Sequence, residues 1–225
     1  MFIVIEGTDG SGKATQTAAL SARLTAERVP HRTLTFPRYD SPHSSAVKAY
    51  LNGDFGTAAE AVSPYVSSSF YAVDRITSFL SDWKRDYDAG TLIISDRYTT
   101  SNAVHQGAKF ADDNEREHYL NWLQEFEFGK LGLPKPDLVI FLDVPTATTL
   151  KLISSRGSTD IHEADAQYLA KSHDAALFAA KLLGWECVSC VDKTGSLLSV
   201  EQIHQQIYTL VKTVLTSSNS EDSNL

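Results

Sequence analysis

Between the seventh and thirteenth residues the chain reads Gly7-Thr8-Asp9-Gly10-Ser11-Gly12-Lys13. Glycines at this spacing let the backbone turn back on itself, so that its N–H groups converge on one point. Lys13 adds a full positive charge there. Together these groups suit the oxygens of a phosphate chain. The flanks agree. Phe2-Ile3-Val4-Ile5 is bulky and apolar enough for a buried parallel strand, and Ala18, Ala19, Leu20, Ala22 and Leu24 continue as a helix, whose N-terminus brings a further partial positive charge. Gly7, Thr8, Asp9, Gly10, Ser11, Gly12 and Lys13, followed by Ala14 and Thr15, are therefore the expected nucleotide-phosphate residues. One position departs from the pattern. Ala14 stands where a magnesium-ligating hydroxyl usually follows the lysine, and Thr15 lies about 100° further round the helix.

Other chemical residues fall where apolar runs end. His31 to Phe36 alternates as a second strand and leads into Phe36-Pro37-Arg38. Thr91 to Ser95 leads into Asp96-Arg97-Tyr98, Leu138 to Leu142 into Asp143, and Glu186 to Val191 into the loop Asp192 to Ser196. Parallel sheets bind ligands beyond the carboxyl ends of their strands. Lys13, Arg38 and Arg97 are thus expected to build a cationic site in an acidic chain, and the forked donors of arginine match phosphate. Asp96, ending a hydrophobic strand, is expected to hold magnesium directly or through water. An internal salt bridge is the alternative for Asp96 and Arg97. Arg38 alone fits either reading, and Asp143 reads as a carboxylate at a helix N-terminus.

The elements that position these groups follow from the same patterns. Helices are predicted over 13–28, 44–51, 63–87, 100–109, 115–128, 145–155, 164–183 and 199–215. Ser63-Pro64 supplies a cap and a first-turn proline, and Ser199 with Gln202 a capping box. Alternation of five strands with helices predicts an α/β fold: a five-stranded parallel sheet covered by helices on both faces. The 225 residues, 42% of them hydrophobic, suit one such domain, and the Ser/Asn/Asp/Glu-rich tail 216–225 is expected to be disordered. A net charge of −8 argues against a nucleic-acid polymer as partner. No apolar run nears the ~20 residues of a membrane span, and the N-terminus lacks the basic start of a signal peptide, so a cytoplasmic protein is expected. Cys187 and Cys190 form C-x-x-C in an alternating stretch, which puts them on opposite strand faces. They are expected to be small core residues.

Taken together, the loop, Phe36-Pro37-Arg38, Ala72-Val73-Asp74-Arg75, Asp96-Arg97-Tyr98 and Leu133-Pro134-Lys135-Pro136-Asp137-Leu138 resemble the thymidylate kinases of bacterial type, a family of P-loop nucleoside monophosphate kinases. The resemblance covers the chain to about residue 215. It implies a three-layer P-loop kinase fold in a single domain, 1–215, with a lid at about 156–163. It also implies transfer of the γ-phosphoryl group of ATP to dTMP, Mg2+ as cofactor, and a homodimer. Lys13 would bridge the ATP phosphates, Asp9 approach the dTMP sugar, and Arg38 and Arg97 grip the dTMP phosphate. Asp96 would organise magnesium and the acceptor. Arg75 would donate to a thymine carbonyl while Tyr71, four residues earlier on the same helix face, stacks on the base. Phe70 reads as core. Phe36, Ser101, Asn102 and Gln106 match acceptor-binding positions, His105 stands where the family has an aromatic near the sugar 2′ position, and Lys193 matches the segment near adenine. The phosphate loop has no basic residue at Gly10-Ser11, so the lid should carry charge. Arg156 is its permanent cation, expected to clamp the transition state, with His162 where a second arginine would stand.

Two other readings remain open from the sequence. One is a nucleoside monophosphate kinase with dUMP or a broader acceptor range. The other is a weakly catalytic nucleotide-binding regulatory protein, favoured by Ala14 and the thin lid. A switch GTPase ranks last, because no Asn-Lys-x-Asp guanine motif is evident.

Overall fold

A computed structural model describes residues 1–56, 61–154 and 166–222. The strands β1 (Phe2–Gly7), β2 (His31–Thr35), β3 (Leu92–Asp96), β4 (Leu138–Asp143) and β5 (Glu186–Ser189) form a parallel sheet in the order β2-β3-β1-β4-β5. The helices are α1 (Lys13–Ala26), α2 (Ser45–Leu51), α3 (Pro64–Ser78), α4 (Lys84–Asp88), α5 (Thr99–His105), α6 (Asp113–Gln124), α7 (Thr146–Ser154), α8 (Ala166–Leu183) and α9 (Val200–Asp222).

β1 takes the centre because it is apolar on both faces. Ile3 and Ile5 pack with Leu20 and Leu24 of α1 and with Ile203, Ile207 and Val211 of α9. Phe2 and Val4 point the other way, onto Phe79, Trp83 and Tyr98. These four apolar side chains of β1 are fully buried, and a side chain of this size contributes about 1.5–3 kcal/mol when buried. With β3 on one side of β1 and β4 on the other, the chain leaves the centre in both directions. This is the arrangement that opens a ligand crevice beyond the carboxyl ends of the strands.

The predicted 63–87 helix is one continuous run in which α3 and α4 are joined by a π-helical turn, Phe79–Trp83. Ser63 Oγ accepts from Val66 N at 3.3 Å as its cap. The capping box of α9 is present in both directions: Ser199 N donates to Gln202 Oε1 (2.9 Å) and Gln202 N to Ser199 Oγ (3.2 Å).

α9 runs on to Asp222, and Thr213, Thr216 and Ser217 return their hydroxyls to carbonyls three or four residues earlier. Two local expectations are corrected. The first concerns the helix expected over 100–109. It ends at His105 and passes into a 3-10 turn at Gly107–Lys109. The second concerns the cysteines. Cys190 is in the core, but Cys187 is exposed, on the opposite face of an edge strand. Both are free thiols. Among the described residues no helix is long and apolar enough to cross a membrane.

Candidate active site

The phosphate loop joins β1 to α1. A Cβ at Gly7 would press on the side chains of Ser11 and Leu142, and Gly12 has a φ of 89°, which favours glycine. Lys13 is buried and donates from Nζ to Gly7 O (2.8 Å) and Thr8 O (2.9 Å). Burial, reinforced by the charge of Arg97, lowers its ammonium to about 8, although Asp9, Glu6 and Asp96 pull the other way. Ala14 and Thr15 are exposed. Ser11 Oγ and Thr17 Oγ1 are buried without a hydrogen-bond partner among the described residues.

Arg97 follows β3 in a left-handed conformation, φ 68°, which is unfavourable for any residue with a Cβ. Arg97 N donates to Ile5 O (3.2 Å) and Ser95 Oγ to Arg97 O (2.6 Å), fixing the turn. Its guanidinium pairs with Asp9 and reaches His105 Nε2 from Nη1 at 3.0 Å. His105 Nε2 therefore accepts, and Nδ1 faces Tyr168 Oη at 3.0 Å. Burial first, with help from Arg97 and Lys13, depresses His105 to about 4, so the ring is neutral at pH 7. Burial alone would raise the Asp9 carboxyl, but the cations around it, Arg97 and Lys13 among them, outweigh that and hold it below the usual range.

Asp96 ends β3. Burial, aided by the nearby Glu6 carboxylate, raises its carboxyl, and Oδ1 is buried with no hydrogen-bond partner among the described residues. A carboxylate oxygen left unpaired beside a phosphate loop is a hard ligand of the kind magnesium takes. Among the described residues no cluster of three or more His, Cys, Asp or Glu could hold a metal alone. Mg2+ needs no such cage, since it is commonly held by one or two carboxylates, waters and substrate phosphates. Asp96 therefore fits the ion.

Beside Asp9 and Arg97 lies a cavity of about 350 Å3, walled also by Thr35, Phe36, Pro37, Tyr39, Tyr50, Leu51, Tyr71, Arg75, Tyr98, Ser101, Asn102, His105, Gln106, Lys109 and Tyr168. Nine of the ten residues that the resemblance assigns to dTMP (Asp9, Phe36, Tyr71, Arg75, Arg97, Ser101, Asn102, His105 and Gln106) are in this wall. Arg38 is not. Its Nη1 donates to Ser78 Oγ (3.0 Å) and pairs with Asp82, while its backbone N–H donates to Asp74 Oδ2 at 2.9 Å. Phe70 lies outside the wall against Tyr50 and Phe55. Lys193 is exposed in a loop closed by Asp192 Oδ1, which accepts from Thr194 N and Ser196 N. Arg156, His162 and the lid at 156–163 lie outside the described residues.

Two buried carboxylates organise the wall and were not anticipated. Glu6 accepts from Thr100 Oγ1 (2.6 Å), Ser101 Oγ (2.7 Å) and Gly7 N (2.9 Å), so it ties the phosphate loop to α5. Glu127 pairs with Arg75 through two hydrogen bonds, Nε to Oε2 at 2.7 Å and Nη2 to Oε1 at 2.5 Å. These acids explain why the polar helix α5 is buried: its hydroxyls and amide have partners inside. Tyr39, Tyr50, Lys109 and Tyr168 were also missed. The available signals were an acid ending a buried strand at Glu6 and an acid on the apolar stripe Leu120, Leu123, Glu127.

A family model described as thymidylate kinase matches residues 5–207. The thymidylate kinase of Mycobacterium tuberculosis is 37% identical over 147 residues, covering 64% of this chain and 66% of its own length, just under two thirds. A probable thymidylate kinase of Thermococcus kodakarensis is 29% identical over 222 residues, 96% of this chain and 98% of that one. Among solved structures, thymidylate kinase from Candida albicans matches with a TM-score of 0.69 and 25% identity, over 94% of this chain and 91% of that chain.

Proposed function

The chain belongs to the thymidylate kinase family, and from that premise we propose how its residues carry out ATP-dependent phosphorylation of dTMP to dTDP. The observation that carries the assignment is the continuity of the site. Asp9 belongs to the phosphate loop, pairs with Arg97, and both line the cavity that also contains Tyr71, Arg75 and Asn102. A nucleotide with its base against Tyr71 and Arg75 extends its phosphate toward Arg97 and the Lys13 loop.

Phosphoryl transfer is governed by positioning and charge. Lys13 exchanges its two loop carbonyls for ATP phosphate oxygens. Arg97, held by Asp9 and His105, grips the dTMP phosphate. Arg38 acts from beneath, holding the Phe36–Tyr39 turn through Asp74, Ser78 and Asp82 as long as it keeps those partners, and reaches the phosphate only on releasing them. Tyr71 covers the base. Glu6, Asp9 and Asp96 face Lys13 and Arg97, so the described residues offer no surplus of positive charge for two phosphate groups. That balance supports Mg2+ at Asp96 and a cation from the lid. Magnesium, when bound, offsets phosphate charge. Replacing Ala14 with serine would restore the loop hydroxyl, and is expected to lower the magnesium concentration for half-maximal activity. An unchanged magnesium titration would mean that the metal does not use that position. Arg156→Ala is expected to reduce kcat far more than ATP affinity; equal kcat would remove Arg156 from the mechanism.

A homodimer is supported by the continuous run from α3 into its π-helical turn, where Val66 and Val73 of α3 and Leu80 of the turn recur at seven-residue steps and are 49%, 49% and 63% exposed. Sedimentation across a concentration series tests it: a single monomer species at micromolar protein rejects the dimer. A cytoplasmic location fits the free thiols, and fractionation of the cells that make the protein would check it. The kinase reading is tested by coupled ADP release with dTMP, dUMP, dCMP and UMP. ADP release that no acceptor stimulates rejects it in favour of a nucleotide-binding regulator, and a preference for dUMP or UMP rejects dTMP as the principal substrate.

A further inference from the structure

Glu127 is fully buried, lies in the π-helical turn Glu125–Lys130 that continues α6, and is bonded to donors from two other elements. From α3 come Arg75 Nε and Nη2. From α5 come Thr99 Oγ1, at 2.9 Å from Oε2, and Asn102 Nδ2, at 3.3 Å from Oε1. Every partner donates, so the site requires a group that only accepts, which is an ionised carboxylate. A π turn inside a helical run is a recurrent feature of functional sites.

The consequence lies in what these bonds leave over. Arg75 has five N–H donors. Two are taken by Glu127 and one by Tyr98 O at 3.3 Å, which leaves further donors on a residue of the cavity wall. Asn102 has two amide N–H groups. One goes to Glu127 and the other to Ser68 O at 3.4 Å. Its carbonyl Oδ1 is the atom left to accept, and Asn102 is also in the wall. Arg75 thus keeps a donor, and Asn102 an acceptor, for a ligand of the cavity they line. A 2,4-dioxopyrimidine presents the complement, a ring carbonyl beside a ring N–H. A 4-aminopyrimidine presents the reverse, with an amine where the carbonyl was and a bare ring nitrogen where the N–H was. Each of its edges would meet a like group, and a buried polar group left unpaired is strongly disfavoured.

We propose that Glu127 is the positioning residue that sets the cavity's preference for a 2,4-dioxopyrimidine nucleotide, by fixing the fork of Arg75 and the amide orientation of Asn102. This rests on the kinase reading above. Glu127 touches no substrate; it acts through the two groups it holds.

The test compares kcat/KM for dTMP and dCMP in the wild-type protein and in Glu127→Gln. Glutamine keeps the shape but turns one acceptor into a donor, facing Arg75, Thr99 and Asn102. The dTMP value is expected to fall about 10- to 100-fold, chiefly through KM. The dCMP value should fall less, because Asn102 is then free to turn its amide over, so the dTMP:dCMP ratio drops about tenfold or more. In an Asn102→Ala background, adding Glu127→Gln should change the ratio little further. Thermal unfolding monitors each variant, and Glu127→Asp, whose carboxylate is one carbon short of bridging Arg75 to Thr99 and Asn102, replaces Glu127→Gln if that variant does not fold. An unchanged ratio in the folded variant overturns the role of Glu127, as does a full second drop in the Asn102→Ala background. A wild-type protein that phosphorylates dTMP yet keeps its ratio in the variant defeats only this proposal, whereas a wild-type protein with no acceptor-dependent ADP release defeats the kinase reading itself.

Discussion

Exchanging Lys13 for methionine is expected to lower kcat/KM for ATP by about 100- to 1000-fold, the loss typical when one preorganised charge or donor at a transition state is removed. The variant should nonetheless melt no lower than the wild type. Lys13 is buried and its ammonium is lowered to about 8, so the fold works against its charge, and a methionine of similar length removes that penalty, which offsets the loss of its bonds to Gly7 O and Thr8 O. The loss would therefore belong to phosphate binding and not to misfolding. The same environment predicts a pH dependence. In the free enzyme the ammonium gives up its proton as pH rises through about 8, so kcat/KM for ATP in the wild type should fall above that value. In the nucleotide complex the phosphates favour the charged form, so kcat should hold to higher pH. Lys13→Met should lack the alkaline limb attributed to this group. A pH–rate profile in which the variant keeps the limb would show that Lys13 is not the group that titrates.

Arg97→Gly is expected to cost about 100- to 1000-fold in kcat/KM for dTMP, with ATP affinity changed much less. Glycine is the informative replacement because Arg97 has a φ of 68°, which glycine adopts without penalty. Backbone strain then cannot account for the loss. What disappears is the guanidinium between Asp9 and His105. Asp9 is left as a carboxylate without its partner, facing the phosphate that must approach, and His105 Nε2 loses its donor. The stability effect has two opposing parts: relief of the left-handed turn, about 1–2 kcal/mol, and loss of a partly exposed ion pair. A near-neutral melting temperature with a collapsed dTMP profile is therefore the expected signature. Isothermal titration separates the two substrates, and an equal loss of ATP and dTMP affinity would contradict the assignment of Arg97 to the acceptor phosphate.

The sequence determined the parts of the molecule that local chemistry controls. A glycine loop before a lysine has few backbone solutions, so Gly7 to Lys13 was legible as a phosphate cradle. Apolar runs such as Phe2 to Ile5 can be satisfied only inside a sheet, so the five parallel strands were legible too. The strand-end rule located Asp96 and Arg97, and resemblance supplied Tyr71, Arg75, Asn102 and His105, which the fold gathers around one cavity.

Tertiary structure decided the partners. Arg38 ends the Phe36-Pro37-Arg38 stretch that follows β2 in sequence, yet its guanidinium is taken by Ser78 and Asp82, 40 and 44 residues away. Glu127 looks like one of several acids on a solvated helix. It becomes the fixed point of the cavity wall because its stripe is buried and Arg75, 52 residues distant, needs a counter-charge there. Glu6 is similar, with partners about 95 residues away. The physical reason is common to all three. An isolated charge in sequence carries no information about which opposite charge the fold will bring to it, while the cost of burying it unpaired is large enough to force such a partner to exist.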